Sequence, residues 1–269
     1  MMEGGGARPP GRLRPPGQSR LKTPQNVHGE TFMLRRREYD RIRSALGTST
    51  HFQMLASADL DRLALLGRLQ RLRHGEHAVR DGTADDQLCI ILSGAVRISS
   101  QMPGAKEYVY AVLGPGSYFG LANAVRRATI TAQARAFGAT DLAVYGGAAL
   151  EAMLDERPRL WKHVSFLLSR RLRLALSALR DNSVAPLPER IARRLLGHAL
   201  SSDLAGQTQV AVRMTQADLA LMLSASRART NAALKALERA GLVRAGYRGI
   251  TILDLPGLRR LAGPGIHAY

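Results

Sequence analysis

The sequence predicts an α+β protein: an N-terminal antiparallel β-roll, a long helix, and a C-terminal winged helix-turn-helix. Three observations carry this. From about residue 70 to 145, short β-like runs (HGEHAVRDG, LCIILSGAVRIS, YVYAVLGPGSYFG, TITAQARAF, DLAVYG) alternate with glycine turns, the pattern of short strands closing on themselves. Residues 158–181 place apolar side chains three and four apart, which is helical spacing. Residues 215–253 then read as cap, helix, tight turn, basic helix and hairpin, a device that lays one helix in a major groove.

In chain order, residues 1–33 are rich in Gly, Pro and Arg and are expected to be a disordered basic tail, with Met33 as an alternative start. Residues 34–47 suit a short basic helix. Residues 55–69 suit another, with Leu55, Leu60, Leu63, Leu66 and Leu69 as its apolar positions. The roll is assigned to 50–150 and the long helix to 151–182. That helix carries two stripes. One includes Leu160, Val164, Leu167, Leu174 and Ala178. The other runs through Trp161, Leu168, Leu172, Ala175 and Leu179. One stripe covers the roll, and the other pairs with a second subunit as a short coiled coil. The predicted pairing face is Trp161, Val164, Leu168, Leu172, Ala175 and Leu179.

Asn182 to Pro188, with two prolines, reads as a hinge, and Pro188 suits the start of a helix over 189–200. The DNA-binding unit is assigned to 183–269, with a short strand at 209–212. Thr215 followed by Asp218 is a helix N-cap signature, and Leu219, Met222 and Leu223 face inward. Ser224 to Ser226 make the turn and cap the second helix. In that helix Ala233, Leu234 and Leu237 point to the core. Gly241 ends it. The wing has Tyr247 and Arg248 at its tip.

Charge supports a polyanionic partner. Of 39 Lys+Arg and 21 Asp+Glu (net +18), residues 183–269 hold twelve against five, whereas residues 51–150 hold ten against eight. The one cysteine, Cys89, excludes an internal disulfide and leaves no ligand set for a cysteine-bound cluster or structural zinc. No metal site is expected, because His74 and His77 have no third partner nearby in sequence. No apolar run of about 18 residues suggests a membrane span, and no signal-peptide core is evident. The expected location is the cytoplasm. No nucleophile–base pair, paired carboxylates or phosphate loop points to an enzyme.

In this order the elements resemble the Crp/Fnr family of bacterial transcription regulators, over about residues 52–262. HGEHAVRDGTADDQLCIILSGAVRIS is similar to that family's first roll strands, VLGPGSYFG to the approach to its ligand pocket, and SRARTNAALKALERAGLV to its recognition helix. The resemblance implies a cyclic-nucleotide-binding-like roll, a homodimer and DNA binding. In members that bind cyclic AMP, a Glu after GxxxG bonds the ribose, and an Arg followed by Ser/Thr holds the phosphate. The matching positions here are Leu121 and Ile130, with Thr131 kept, and Gly120 and Ala122 flank the first. Losing that cation removes a charge-assisted bond of about 1.5–3 kcal/mol. The pocket therefore looks degenerate for cyclic AMP. No cofactor is predicted. Two readings stay open: an unidentified, less polar effector, or a roll kept as dimer scaffold. Arg126 and Arg127, in the loop before the strand, supply a cation only after a register shift.

The recognition helix also departs from the family. Ala228 and Ala232 replace the usual base-reading Glu and second Arg, while Arg227 is kept and Arg229 and Asn231 are present. Arg suits guanine and Asn suits adenine. The expected DNA-facing set is Thr215, Gln216, Ser226, Arg227, Arg229, Thr230, Asn231, Lys235 and Arg248. Arg227, Arg229 and Asn231 read bases, Thr215, Ser226 and Thr230 hold phosphate, and Arg248 meets the backbone. The expected partner is double-stranded DNA with an inverted-repeat operator; RNA polymerase is a further candidate. The rival reading is a sensor or scaffold that binds nucleic acid without sequence preference.

Overall fold

The computed structural model describes Met1 and residues 27–80, 86–104, 106–126, 132–201, 209–246 and 249–263. Helices α1 (Val27–Thr48) and α2 (Ser57–Leu66) precede β1 (Arg68–Leu72), β2 (His77–Val79), β3 (Gln87–Ser93), β4 (Val96–Met102), β5 (Lys106–Leu113) and β6 (Tyr118–Phe119). Helix α3 (Leu121–Arg126) leads into β7 (Gln133–Ala136) and β8 (Thr140–Gly146). Then follow α4 (Gly147–Glu156), α5 (Arg159–Val184), α6 (Leu187–Ser201) and β9 (Val210–Val212). The chain continues through α7 (Gln216–Met222), α8 (Arg227–Arg239), β10 (Val243–Ala245), β11 (Ile250–Ile252) and α9 (Leu255–Ala262).

Two four-stranded antiparallel sheets make the roll, in the orders β1-β8-β3-β6 and β2-β7-β4-β5. The apolar run in β3 shows why the sequence reads as it does. Successive side chains alternate faces. Cys89 and Ile91 enter the roll interior with Val96, Leu113 and Leu142. Leu88 and Ile90 face the other way, into a layer formed by Ile42, Leu46, Leu60, Leu150, Leu160 and Leu167 of α1, α2, α4 and α5. Both faces of β3 are covered, so the strand is apolar from Leu88 to Leu92. Gly94 turns between β3 and β4 at φ +85°, and a Cβ there would lie 2.4 Å from the Ala139 carbonyl oxygen. Only glycine fits that approach.

Several expectations change. Helix α1 begins at Val27, so the last residues of the segment expected to be disordered are helical, and the helix is longer than 34–47. Its end is fixed by buried Ile42 and Leu46, and no proline interrupts it back to Val27. Residues 2–26 lie outside the described residues. Helix α2 stops at Leu66 because Gly67 is extended, at ψ 139°. Leu69, read as helical, instead pairs with Ala143 in β1–β8. The hinge is shorter than 182–188: α5 runs on to Val184, and only Ala185 and Pro186 separate it from α6. Proline disfavours the helical region for the residue before it, and Ala185 is extended. Helix α3 was not anticipated, so Arg126, read as loop, is helical; nor were α4 and α9. The latter has a legible start, with Asp254 accepting from the Gly257 amide and Pro256 in the first turn.

The C-terminal unit packs α6 to α9 around Ile191, Leu195, Leu219, Met222, Leu234, Leu237 and Leu258. The three-stranded sheet β10-β11-β9 closes it. Ala95, Val109 and Val112 of the roll join the same cluster, so the unit sits against the outer face of the second sheet. A cavity of about 760 Å³ lies between α1, the β3–β4 turn and β9. In it Arg41 is paired with Asp141.

Candidate DNA interface and roll cavity

Helix α7 starts on a complete capping box. The Thr215 hydroxyl oxygen accepts from the Asp218 amide at 3.0 Å, and the Asp218 carboxylate accepts from the Thr215 amide at 3.3 Å. The turn bends at Ser224, which takes φ +50°, and the Ala225 amide donates to the Ala220 carbonyl at 3.0 Å. Ser226 caps α8 by accepting from the Arg229 amide at 3.3 Å. Gly241, at φ +69°, ends the helix.

Burial sorts the predicted contacts. Arg227, Arg229, Asn231 and Lys235 are exposed, with Ala228 and Ala232 beside them. Arg227, Asn231 and Lys235 recur every four residues and therefore share one face. Ser226 is exposed, while Thr215 and Gln216 are half-buried, and the Thr215 hydroxyl is committed to Asp218. Thr230 is a correction. It is 1% exposed and packs inside the domain, so its hydroxyl cannot reach a phosphate. Its place one turn before the inward-facing Leu234 explains the burial. Arg248 and Tyr247 lie outside the described residues; the Gly246 amide, just before them, donates to the Gly249 carbonyl at 2.8 Å. One residue the sequence reading missed is Arg190 on α6. Its guanidinium donates to the Asn182 side chain at 2.7 Å and to the Leu223 carbonyl, tying the end of α5 to the turn of the helix-turn-helix. Burial, followed by the charges of Arg194 and Arg229, lowers its pKa.

On α5, the pairing face divides. Val164 is a second correction: it is 7% exposed and belongs to the core against the roll with Leu160 and Leu167. Trp161 is partly buried on the same cluster, and its indole donates to Asp155 at 3.3 Å. Leu168, Leu172, Ala175 and Leu179 are exposed, and Phe166, Leu176 and Val184 add to the apolar surface.

A cavity of about 210 Å³ lies in the roll at the predicted pocket, lined among others by Gly120, Leu121, Ala122, Asn123, Gln133 and Arg171. Gly120 has φ +83°, and a Cβ there would meet the Gln87 carbonyl at 2.0 Å. Leu121 is 5% exposed and also joins the apolar layer beneath the roll. Ile130, Thr131 and Arg127 lie outside the described residues. Among the described residues, the cation that lines this cavity comes from α5. Arg171 donates to the Tyr118 carbonyl at 2.6 Å, with its guanidinium 4.8 Å from the Tyr118 ring centre. Matching the pocket motif could not find it, since it sits some fifty residues along the chain. His77 Nε2 lies 3.1 Å from the Gln133 side-chain oxygen, and His74 Nδ1 accepts from the Gly138 amide. Among the described residues no group of three His, Cys, Asp or Glu could hold a metal, and no helix is long and apolar enough to cross a membrane.

A β-roll joined by a long helix to a winged helix-turn-helix defines a class of sensor-type regulators, and comparison with known proteins agrees. Residues 69–157 match the cyclic nucleotide-binding domain, and residues 189–261 match the Crp-like helix-turn-helix domain. The chain is 28% identical over 190 residues (70% of this chain, 85% of the relative) to a CRP-like cAMP-activated global transcriptional regulator of Mycobacterium tuberculosis. It is 25% identical over 224 residues (81% and 92%) to the nitrogen fixation regulation protein FixK of Bradyrhizobium diazoefficiens. In fold it is similar to FixK2 from Bradyrhizobium japonicum, with TM-score 0.66 and 20% identity over 75% of this chain and 100% of that one. The two domain matches and these relatives support a DNA-binding transcription regulator of the Crp/Fnr type.

Proposed function

We propose that two copies of the chain pair along α5 and offer their α8 helices to successive major grooves of an inverted-repeat operator, about 34 Å apart. The observation that carries this is the pair of open faces one chain presents. Arg227, Asn231 and Lys235 are exposed along α8. Leu168, Leu172, Leu176 and Leu179 are exposed on α5, where apolar side chains at helical spacing need a cover. Arg227 and Asn231 read base edges, Arg229 assists, and Lys235 with the Ser226 hydroxyl and the α7 start at Thr215 and Gln216 holds backbone. Arg248 extends this contact from the wing. The working units are the roll (50–150), the dimer helix (151–182) and the DNA-binding unit (183–269). The chain acts by binding, without catalysis, in the cytoplasm; RNA polymerase is a partner in the regulatory step.

The roll does not take cyclic AMP in the usual mode; it holds a less polar effector or serves as dimer scaffold. Leu121 offers the ribose no acceptor, and Arg171 is already engaged with Tyr118. Genome-wide mapping of binding sites tests the first reading, which requires an enriched motif with twofold symmetry. Equal grip on random and genomic fragments would end it. Thermal shift with cyclic mono- and dinucleotides tests the second: a clear rise with cyclic AMP sinks it, because ligand binding to the native state must raise the melting temperature.

A further inference from the structure

The roll cavity and the helix-turn-helix are joined by a continuous polar chain. Gln133 lines the cavity. Its amide oxygen faces His77 Nε2 at 3.1 Å, and its amide nitrogen donates to the Ser99 hydroxyl at 3.2 Å, so both ends of the amide are assigned. Ser99, 0% exposed, also accepts from Arg97 Nη1 at 3.1 Å. Arg97 then divides itself between two carboxylates. Its Nη atoms fork onto Glu107 of the roll, with Nη2 at 2.8 Å, and its Nε donates to Asp218 of α7 at 2.6 Å. Asp218, in turn, is the third helical residue of α7 and the reciprocal half of the capping box that Thr215 begins.

The remaining contact between roll and helix-turn-helix includes Ala95, Val109 and Val112. Such packing is non-directional and tolerates sliding, whereas an ion pair with 16% and 8% side-chain exposure fixes one register. Burial opposes the Arg97 charge, but its bonds to Glu107 and Asp218 outweigh this and raise its pKa. The bond from Arg97 holds the Glu107 carboxyl below its usual range, with Ser99 contributing. Arg97 therefore has a partner on each side of the domain boundary and can weight one against the other.

We propose that Arg97 is the positioning residue through which the roll cavity sets the orientation of the helix-turn-helix, along the chain Gln133–Ser99–Arg97–Asp218. A ligand that accepts a hydrogen bond from the Gln133 amide withdraws a donor from Ser99. Arg97 is thereby drawn toward the roll and loosens its hold on α7. This is a shift between two arrangements of one side chain, which is the physical content that a coupling claim requires. It rests on the reading of α7 and α8 as the DNA-binding pair.

The test uses full-length protein and five variants: Gln133→Leu, Arg97→Met, Arg97→Lys, and Gln133→Leu combined with each Arg97 change. Two quantities are read: amide exchange over Gln216–Met222, and affinity for an operator fragment selected with the unmodified chain. Arg97→Met is expected to speed α7 exchange about tenfold by releasing a local opening. Gln133→Leu, which touches nothing in the helix-turn-helix, is expected to speed it severalfold at an unchanged melting temperature. The double variant should match Arg97→Met alone, since the chain is already cut. Lysine keeps a charge for Asp218 but not the fork, so Gln133→Leu should have no effect in the Arg97→Lys background. That pair carries the test if Arg97→Met does not fold. Independent, multiplying effects, or no response of α7 to Gln133→Leu, would overturn the relay. If the unmodified chain shows no operator preference while α7 still responds to Gln133, the DNA reading falls and the relay stands.

Discussion

Thr230 and Arg227 are three positions apart in the sequence and opposite in fate. Arg227 is exposed at the first position of α8, whereas Thr230 is 1% exposed, with its hydroxyl oxygen lacking a hydrogen-bond partner among the described residues. An unpaired buried hydroxyl costs about 1–3 kcal/mol, and valine has nearly the same shape. Thr230→Val is therefore expected to raise stability by about 1 kcal/mol in denaturant unfolding and to leave operator affinity unchanged. A loss of affinity would return Thr230 to the phosphate contacts. Arg227→Ala is expected to weaken operator binding by about 1–3 kcal/mol and relax preference at one base pair. Equal weakening on every sequence would make Arg227 a backbone contact. The residue types on this face were legible in the sequence. The helix phase was legible too, from Leu234 and Leu237; Thr230 was placed on the surface by its residue type, although it lies one turn before Leu234.

At the scale of elements, the parts that sequence captured are those whose local chemistry decides them: the capping box of α7, the serine cap of α8, and the glycine turns of the roll. The missed parts are decided by neighbours. Val164 falls on the roll side of α5 because Leu160 and Leu167 anchor the helix there, which a two-stripe pattern cannot assign. Arg97 reads as an ordinary roll-strand arginine until α7 brings Asp218 to it. Helix α6 hides a third case. His198 is 8% exposed, and burial, with the charge of Arg194, lowers its pKa to about 3. The folded value lies below the unfolded one of about 6.5, so the unfolded chain binds the extra proton between them. The stability this group contributes is complete above about pH 6.5 and is lost as pH falls toward 3. Lowering the pH from 7 to 5 should cost on the order of 2 kcal/mol, read as a falling melting temperature at constant ionic strength. His198→Leu should flatten that slope, and an unchanged slope would show that His198 does not control it.

At the scale of the whole molecule, one chain buries three apolar clusters yet leaves a row of leucines on α5 in solvent. Leu172 is 61% exposed, Leu176 55% and Leu179 64%. A surface change there costs the folded chain little, so its effect reports on what covers the row. Leu172→Glu places like charges across a twofold seam, where desolvation and repulsion both oppose pairing. The expected result is a monomer in sedimentation, with a melting curve close to that of the unpaired chain at high dilution. Operator affinity should fall at least tenfold, about 1.4 kcal/mol, because each recognition helix must then bind its half-site alone. Binding to a single half-site should persist with its base preference intact, since α8 and its cap are untouched. If Leu172→Glu remains dimeric, the α5 row is not the seam, and the spacing between recognition helices must be set by another face of the molecule.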